Sequence, residues 1–420
     1  MGDVEATEAA ELDGWAEELD GAAARLGPRF VRSEARRHAR AYLEGLLGDA
    51  GRKNGWQLAE ALGDATPYGV QQFLYRADWD ADAVRDDLRA YVTERLADQD
   101  AVLVLDETSF PKKGTKSVGV ARQYCGALGQ LANCQVGVFL LYASPKGAAF
   151  LDRALFLPQA WTNDPERRRA AGVPDDIESA TKPQLARALL ERALGAGVPA
   201  AWVTADEGYG DDHRLRVRLE QRPMRYVLAV TRKDTVSTTA WLPERVGDLV
   251  ATLPADGWAR RSCGAGAKGP RRYDWQRLRL LDPPVDGWAR WLLVRRNPDD
   301  PTDLQPYVCF APTATTLDAL LRIAGRRWTI EAAFEAAKQE VGLGDYEVRS
   351  WQGWHRHITL ALFAHALLVA RRAAGDEPAA AKGGRQKQPT GALAAFRQRR
   401  ASQQPSSRSP SPRSAASSPA

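Results

Sequence analysis

Cysteine, methionine and histidine are scarce in this chain, and long apolar runs are missing. Its four cysteines (Cys125, Cys134, Cys263, Cys309) are scattered over 420 residues with no Cys-x-x-Cys pair. That excludes a disulfide framework and a zinc ribbon, and leaves reduced, mostly buried thiols as the reading. The five histidines include no His-Glu-x-x-His, so His355, His357 and His365 read as core or interface residues rather than catalysts. The stretch Gly264 to Gly269 is glycine-rich but lacks the Gly-Lys-Ser/Thr of a phosphate loop. No apolar run approaches the ~20 residues that span a bilayer. The acidic start Met1-Gly2-Asp3-Val4-Glu5 carries no basic-then-apolar leader. A cytoplasmic protein is expected.

What is present is apolar mass and a lopsided charge. A hydrophobic content of 44% with 13 tryptophans supplies a sizeable core, and the length suits about two or three domains. The net charge of +5 hides an asymmetry: from Arg371 onward ten Lys/Arg stand against Asp376 and Glu377. The tail is therefore roughly +8 and the remainder about −3. Basic tails of this kind touch nucleic acid or are merely solvated.

Periodicity divides the chain. Residues 1–97 read as a helical domain, with apolar spacing over Leu12–Leu26, Phe30–Leu47 and Ala81–Leu96. Within it, Gly55–Gly63 and Thr66–Leu74 form either a helix-turn-helix presenting Gln71, Gln72 and Arg76 to DNA, or a plain hairpin with Trp56, Leu58, Phe73 and Leu74 in the core. Residues 98–230 carry strands at Val102–Leu105, Ser117–Tyr124, Cys134–Tyr142 and Phe150–Leu157. A polar connection, a helix over Gln184–Leu194, a strand ending at Asp206, a helix near Asp211–Glu220 and the strand Arg225–Val230 follow. The order predicts a mixed α/β layer. Residues 231–312 read as a β-rich insertion, 313–372 as returning helices, and 373–420 as a disordered basic tail without the apolar content to offset ordering.

Three carboxylates carry the chemistry. Asp106 follows the apolar run Val102-Leu103-Val104-Leu105, with Lys112 and Lys113 just beyond it. Asp206 follows Ala201-Trp202-Val203-Thr204-Ala205 and precedes Glu207-Gly208-Tyr209-Gly210. Each alone is equally a strand-ending turn residue or a helix cap, but one local design recurs at two distant strands. Glu331 lies on a helix that places Arg327, Glu331, Glu335 and Lys338 on one face, flanked by Trp328, Ile330 and Phe334. Carboxylates fixed at buried strand ends suit hard divalent cations with oxygen ligands. Arg327 offers a planar fork for phosphate and Lys338 a point charge.

The order Asp, Asp, Glu resembles the ribonuclease-H-like plan of DDE transposases. Gly119-Val120-Ala121-Arg122-Gln123-Tyr124, Asn133-Cys134-Gln135-Val136-Gly137-Val138-Phe139, Leu157-Pro158-Gln159-Ala160-Trp161, Thr181-Lys182-Pro183, Ala205-Asp206-Glu207-Gly208-Tyr209-Gly210 and Trp354-His355-Arg356-His357-Ile358 resemble one branch. It is the bacterial insertion-sequence transposases of group seven-oh-one, related to group four, and the likeness runs from about Trp15 to Arg372. Group four carries a Tyr-Arg-Glu-Lys signature; Arg327, Glu331 and Lys338 fit it, while Ala324 stands in place of the tyrosine.

The resemblance implies a ribonuclease-H-like mixed sheet with flanking helices, a β-rich insertion and an N-terminal helical domain. It also implies cut-and-paste transposition. Asp106, Asp206 and Glu331 would hold two magnesium ions (manganese in their place) that activate water at the element's ends, and the freed 3′-hydroxyl would attack target DNA. Lys112, Lys113, Arg122, Tyr209, Arg327, Trp328 and Lys338 would contact DNA. The partners would be the terminal inverted repeats, target DNA and a second copy at synapsis, in a bacterial cytoplasm at the nucleoid. Two rivals stay open. A transposase-derived DNA-binding or regulatory protein without catalysis is favoured by the tail, which lacks the family's Leu/Arg-rich ending, and disfavoured by the three intact carboxylates. A two-carboxylate glycosidase leaves the third carboxylate and Arg327/Lys338 unexplained.

Overall fold

The computed structural model describes residues 2–239, 242–266 and 269–375, so nearly all of the expected tail lies outside the described residues. Leu19–Arg385 forms one compact unit. Of a second unit, Met1–Glu18 with Gln386–Ala420, the described part is the start of the first helix.

Five helices come first: α1 (Gly2–Leu26), α2 (Ser33–Leu47), α3 (Gly55–Ala61), α4 (Tyr68–Tyr75) and α5 (Ala81–Leu96). Asn54 starts α3 by accepting from the Gln57 amide, and Asp80 starts α5 by accepting from Asp82, each satisfying a backbone donor that has no partner within the helix. In the α3–α4 pair, Leu58, Phe73 and Leu74 are buried as the hairpin reading expects, but Trp56 is 63% exposed. At about 100° per residue Trp56 lies roughly 200° around the helix from Leu58, so the two cannot share the buried side. From Leu19 these helices belong to the same compact unit as the strands that follow. Arg356 binds them to it, donating to the carbonyls of Leu74 (3.2 Å), Ala77 (2.6 Å) and Trp79 (2.5 Å).

The sheet begins with β1 (Val102–Pro111), β2 (Ala121–Cys125), β3 (Gln130–Ser144) and β4 (Gly147–Leu155). β1 does not stop before Asp106 as the apolar run suggests. It continues to Pro111 because β3 pairs with it throughout, from Val102↔Ala143 to Pro111↔Cys134. The strand expected over Ser117–Tyr124 starts only at Ala121, since Val120 closes a turn onto Ser117 and Gly119 has φ +74°. The connection after β4 holds two short helices, α6 (Gln159–Thr162) and α7 (Pro165–Ala170). Then come α8 (Lys182–Gly195), β5 (Trp202–Ala205), α9 (Glu207–Gly210), α10 (His213–Gln221) and β6 (Arg225–Ala229). Thr181 and Gln184 close a reciprocal capping box, with Pro183 in the first turn, which fixes where α8 starts.

Residues 231–312 hold β7 (Thr235–Val236), β8 (Glu244–Arg245), α11 (Val246–Ala251), β9 (Ala259–Gly266), β10 (Gly269–Arg279), β11 (Trp288–Arg296) and β12 (Leu304–Pro312). They are β-rich as expected, yet they do not stand apart. β12 pairs with β6, from Tyr307↔Ala229 to Phe310↔Tyr226, and the main sheet runs β2-β3-β1-β5-β6-β12-β11-β10-β9 with β4 beside β3. Among the described residues only β1–β5 and β5–β6 are parallel. The chain closes with α12 (Leu317–Arg326), α13 (Thr329–Glu340) and α14 (Trp351–Ala374). α14 is buried along Gly353–Ala370 apart from His355, as a helix that is apolar on nearly every side must be, and packs between β4 and the N-terminal helices. This is the expected mixed ribonuclease-H-like sheet with flanking helices.

Candidate active site

Two parallel strands aim two aspartates at one crevice. β1 and β5 pair in register from Val102↔Trp202 to Leu105↔Ala205, so Asp106 and Asp206 are the next residues on adjacent strands. β5 ends there while β1 runs on, so the two aspartates stand at the carboxyl edge, where open α/β sheets bind ligands. Asp206 caps α9, accepting from the Gly208 amide at 3.0 Å, and Asp106 accepts from the Glu107 amide at 2.7 Å. Gly210 lets α9 lie close against β6, since a Cβ there would sit 1.8 Å from the Ala229 carbonyl oxygen.

The electrostatics follow from crowding. Burial, then the charge of Asp206, pushes the Asp106 carboxyl up to about 8. Burial, then the charge of Glu107, pushes Asp206 up to about 6, against the pull of Arg327. Arg327 also draws Asp106 down and pairs with Glu331 at 3.0 Å. The guanidinium that pairs with Glu331 thus also lowers both aspartates through its charge. Glu331, with 54% of its side chain exposed, is turned onto Arg327. Among the described residues no group of three or more His, Cys, Asp or Glu is arranged to hold a metal ion. The donors nonetheless fit a hard divalent cation: they are all carboxylate oxygens, and two of them carry a charge conflict that a cation would relieve.

The alternation of β1 sorts the neighbours. Asp106, Thr108 and Phe110 share a face, and Lys338 from α13 donates to the Thr108 hydroxyl at 2.7 Å. Glu107 points to the other face, where Lys182 of α8 and the Tyr209 hydroxyl of α9 both donate to it. Sequence reasoning missed Glu107, Lys182 and Thr108. The Asp106-Glu107 and Asp206-Glu207 pairs and the Thr181-Lys182-Pro183 motif hold the signal, but which member faces which helix is decided by the sheet.

The remaining expected DNA contacts divide. Lys113 and Arg122 are exposed. Lys112 is turned inward, donating to the Tyr346 carbonyl at 3.0 Å and lying 3.6 Å from that ring's centre. Burial holds its ammonium down at about 8. Tyr209 is buried on Glu107, its hydroxyl held protonated by burial and that carboxylate. Trp328 stacks on Tyr273 (6.5 Å, 14°), with Arg271, Arg295 and Arg327 near its ring. That cluster joins β10 and β11 to the site. Gly325 allows it, because a Cβ there would meet the Cys263 carbonyl oxygen of β9 at 1.8 Å. His357 hydrogen-bonds the Tyr42 hydroxyl at 2.7 Å, and burial depresses His355, His357 and His365 to about 3. His357 and His365 are core groups, and His355 is partly exposed against Trp351 and Trp354.

The family description "DDE superfamily endonuclease" matches residues 25–247, more than half of the chain, and "Transposase DDE domain" matches 176–367. The chain belongs to the DDE superfamily of endonucleases. The probable transposase for insertion sequence element IS701 of Microchaete diplosiphon is 29% identical over 313 residues, covering 72% of this chain and 74% of that protein. With these matches the protein is a DDE transposase of the insertion-sequence kind. The first DDE match contains Asp106 and Asp206, and the second contains Asp206 and Glu331.

Proposed function

We propose that this transposase moves its element by cut-and-paste, cleaving phosphodiester bonds at the terminal inverted repeats and joining the freed 3′ ends to target DNA. The observation that carries the reading is the Asp106–Asp206 pair, set side by side at parallel strand ends and sharing Arg327. Asp106, Asp206 and Glu331 would hold two divalent cations, magnesium or manganese. Such ions supply a nucleophile at neutral pH and charge stabilisation at the leaving oxygen. The chain's own groups do the rest. Arg327, released from Glu331, offers two parallel donors to a phosphate. Lys338 holds Thr108 and so fixes the strand that bears Asp106. Lys182 and Tyr209 fix the position of Glu107, whose charge bears on Asp206. Double-stranded DNA is the partner, and two copies would meet on it at synapsis. Among the described residues no helix is long and apolar enough to cross a membrane, in keeping with a place at the nucleoid.

The test is single-turnover cleavage of a duplex bearing the element's terminal repeat. Asp106→Asn and Asp206→Asn keep size and hydrogen bonding but remove the charge that holds a cation. Binding should persist while cleavage falls by ~10³-fold or more, as loss of a group acting in the transition state does. Normal cleavage by either variant would end the proposal.

A further inference from the structure

Beyond the acidic crevice, the β2–β3 hairpin carries a second bare surface. Tyr124, Leu128 and Leu131 are 62%, 50% and 61% exposed, a concentration of large apolar side chains at one tip. The register fixes their orientation. Arg122 stands opposite Asn133 and Tyr124 opposite Leu131, while Phe139 further along β3 stands opposite Asp106. Paired residues share a face and alternate residues along a strand do too. Arg122, Tyr124, Leu131 and Asn133 therefore lie on the face of the sheet that bears Asp106. The hairpin's other face is packed, with Cys125, Cys134 and Val136 buried against Ala132 and Phe156. Tyr346 covers Gln135 midway, donating to it at 2.9 Å, so the crevice and the tip are two separate contact points on one face.

The hairpin's own stretch of chain carries charge of one sign. From Thr108 to Leu151 the sequence has no Asp or Glu, while it has Lys112, Lys113, Lys116, Arg122 and Lys146. Asn133 holds the lysine loop to this face, donating to the carbonyls of Lys112 (2.7 Å) and Gly114 (2.9 Å). Lys113, Lys116 and Arg122 are exposed. An exposed aromatic and two leucines beside the exposed Lys113, Lys116 and Arg122 fit a polyanion that also offers flat apolar edges.

We propose that this hairpin face is a second contact for the duplex DNA whose phosphate enters the acidic crevice, which rests on the reading of that crevice given above. Lys113, Lys116 and Arg122 would meet backbone phosphates, and Tyr124, Leu128 and Leu131 would lie against sugar edges in a groove. Leu131 is eight residues along β3 from Phe139, about 26 Å at ~3.3 Å per residue. The contact therefore falls roughly eight base pairs from the scissile phosphate at 3.4 Å per step.

The experiment measures fluorescence anisotropy of a labelled 30-base-pair duplex of arbitrary sequence, titrated with the full chain at several KCl concentrations. Arg122→Ala with Tyr124→Ala should weaken binding about tenfold and lower the salt slope by about one, with Lys113→Ala and Lys116→Ala lowering it by about one each. Melting temperatures should not move, because the side chains are exposed. Unchanged affinity and slope in the fourfold variant would overturn the proposal. So would variants that only turn a dimer into a monomer in sedimentation while each monomer binds DNA as before, since the face would then be an interface between copies. Cleavage by Asp106→Asn, measured in parallel, reports on the crevice alone and separates failure of that reading from failure of this one.

Discussion

Asp106→Asn should make the metal-free protein more stable, and increasingly so as pH rises. Asp106 and Asp206 stand at about 8 and about 6 against an ordinary value of 3.8. The folded state therefore keeps protons that the unfolded chain releases. Their contribution is fully favourable below about pH 4, declines as pH rises, and levels off above about 8. For Asp106 the interval from 3.8 to about 8, at 1.36 kcal/mol per pH unit, sets a ceiling of about 6 kcal/mol. The residue is mostly but not fully buried, and at an effective dielectric near 20 the expected gain is about 1–3 kcal/mol. Asparagine retains the oxygen that accepts from the Glu107 amide, so no hydrogen bond is lost in exchange. Thermal melts in EDTA at pH 8.5 should show the variant roughly 1–4 °C above the parent, with the gap shrinking towards pH 4. A variant that melts lower at pH 8.5, or a gap independent of pH, would refute the charge-conflict account.

Arg327→Gln removes the cation that draws both aspartates down; the fall of metal-free stability with pH should grow steeper between about 4 and 8 in the same melts, and cleavage should drop. Arg356→Met strips donors from the carbonyls of Leu74, Ala77 and Trp79; urea unfolding should show a loss of about 3 kcal/mol or more, with new proteolysis around α4. Truncation after Gly375 removes eight Lys/Arg and two acids; it should leave the melting temperature in place and flatten the salt dependence of non-specific DNA binding.

Asp106 and Asp206 were legible because four or five apolar residues followed by an acid is a local signal of a buried strand meeting an edge. The Arg327–Glu331 pair is legible from the spacing of Arg327, Glu331 and Lys338 on one helix, which is also local. What the sequence hid is non-local. β1 outruns Asp106 because β3 pairs with residues up to Pro111, and nothing near Asp106 announces that partner. The strands after residue 231 look like an insertion along the chain, yet β12 returns to β6 and makes them one sheet with β1. Lys112 and Tyr209 were read as reaching out to DNA, but tertiary partners, Tyr346 and Glu107, hold them inside. The plain-hairpin reading puts Trp56 in the core with Leu58, and the helical phase of α3 turns it out.

Iron-directed cleavage of the polypeptide tests the central claim most directly, because it reports which residues hold the same metal without needing DNA. Fe2+ in place of magnesium, with ascorbate and peroxide, cuts the backbone beside its ligands. Cuts are predicted next to Asp106, Asp206 and Glu331, all suppressed by excess magnesium and all weakened together by Asp106→Asn. Cuts at Asp106 and Asp206 without one at Glu331, or a pattern indifferent to Asp106→Asn, would contradict a shared three-carboxylate metal site.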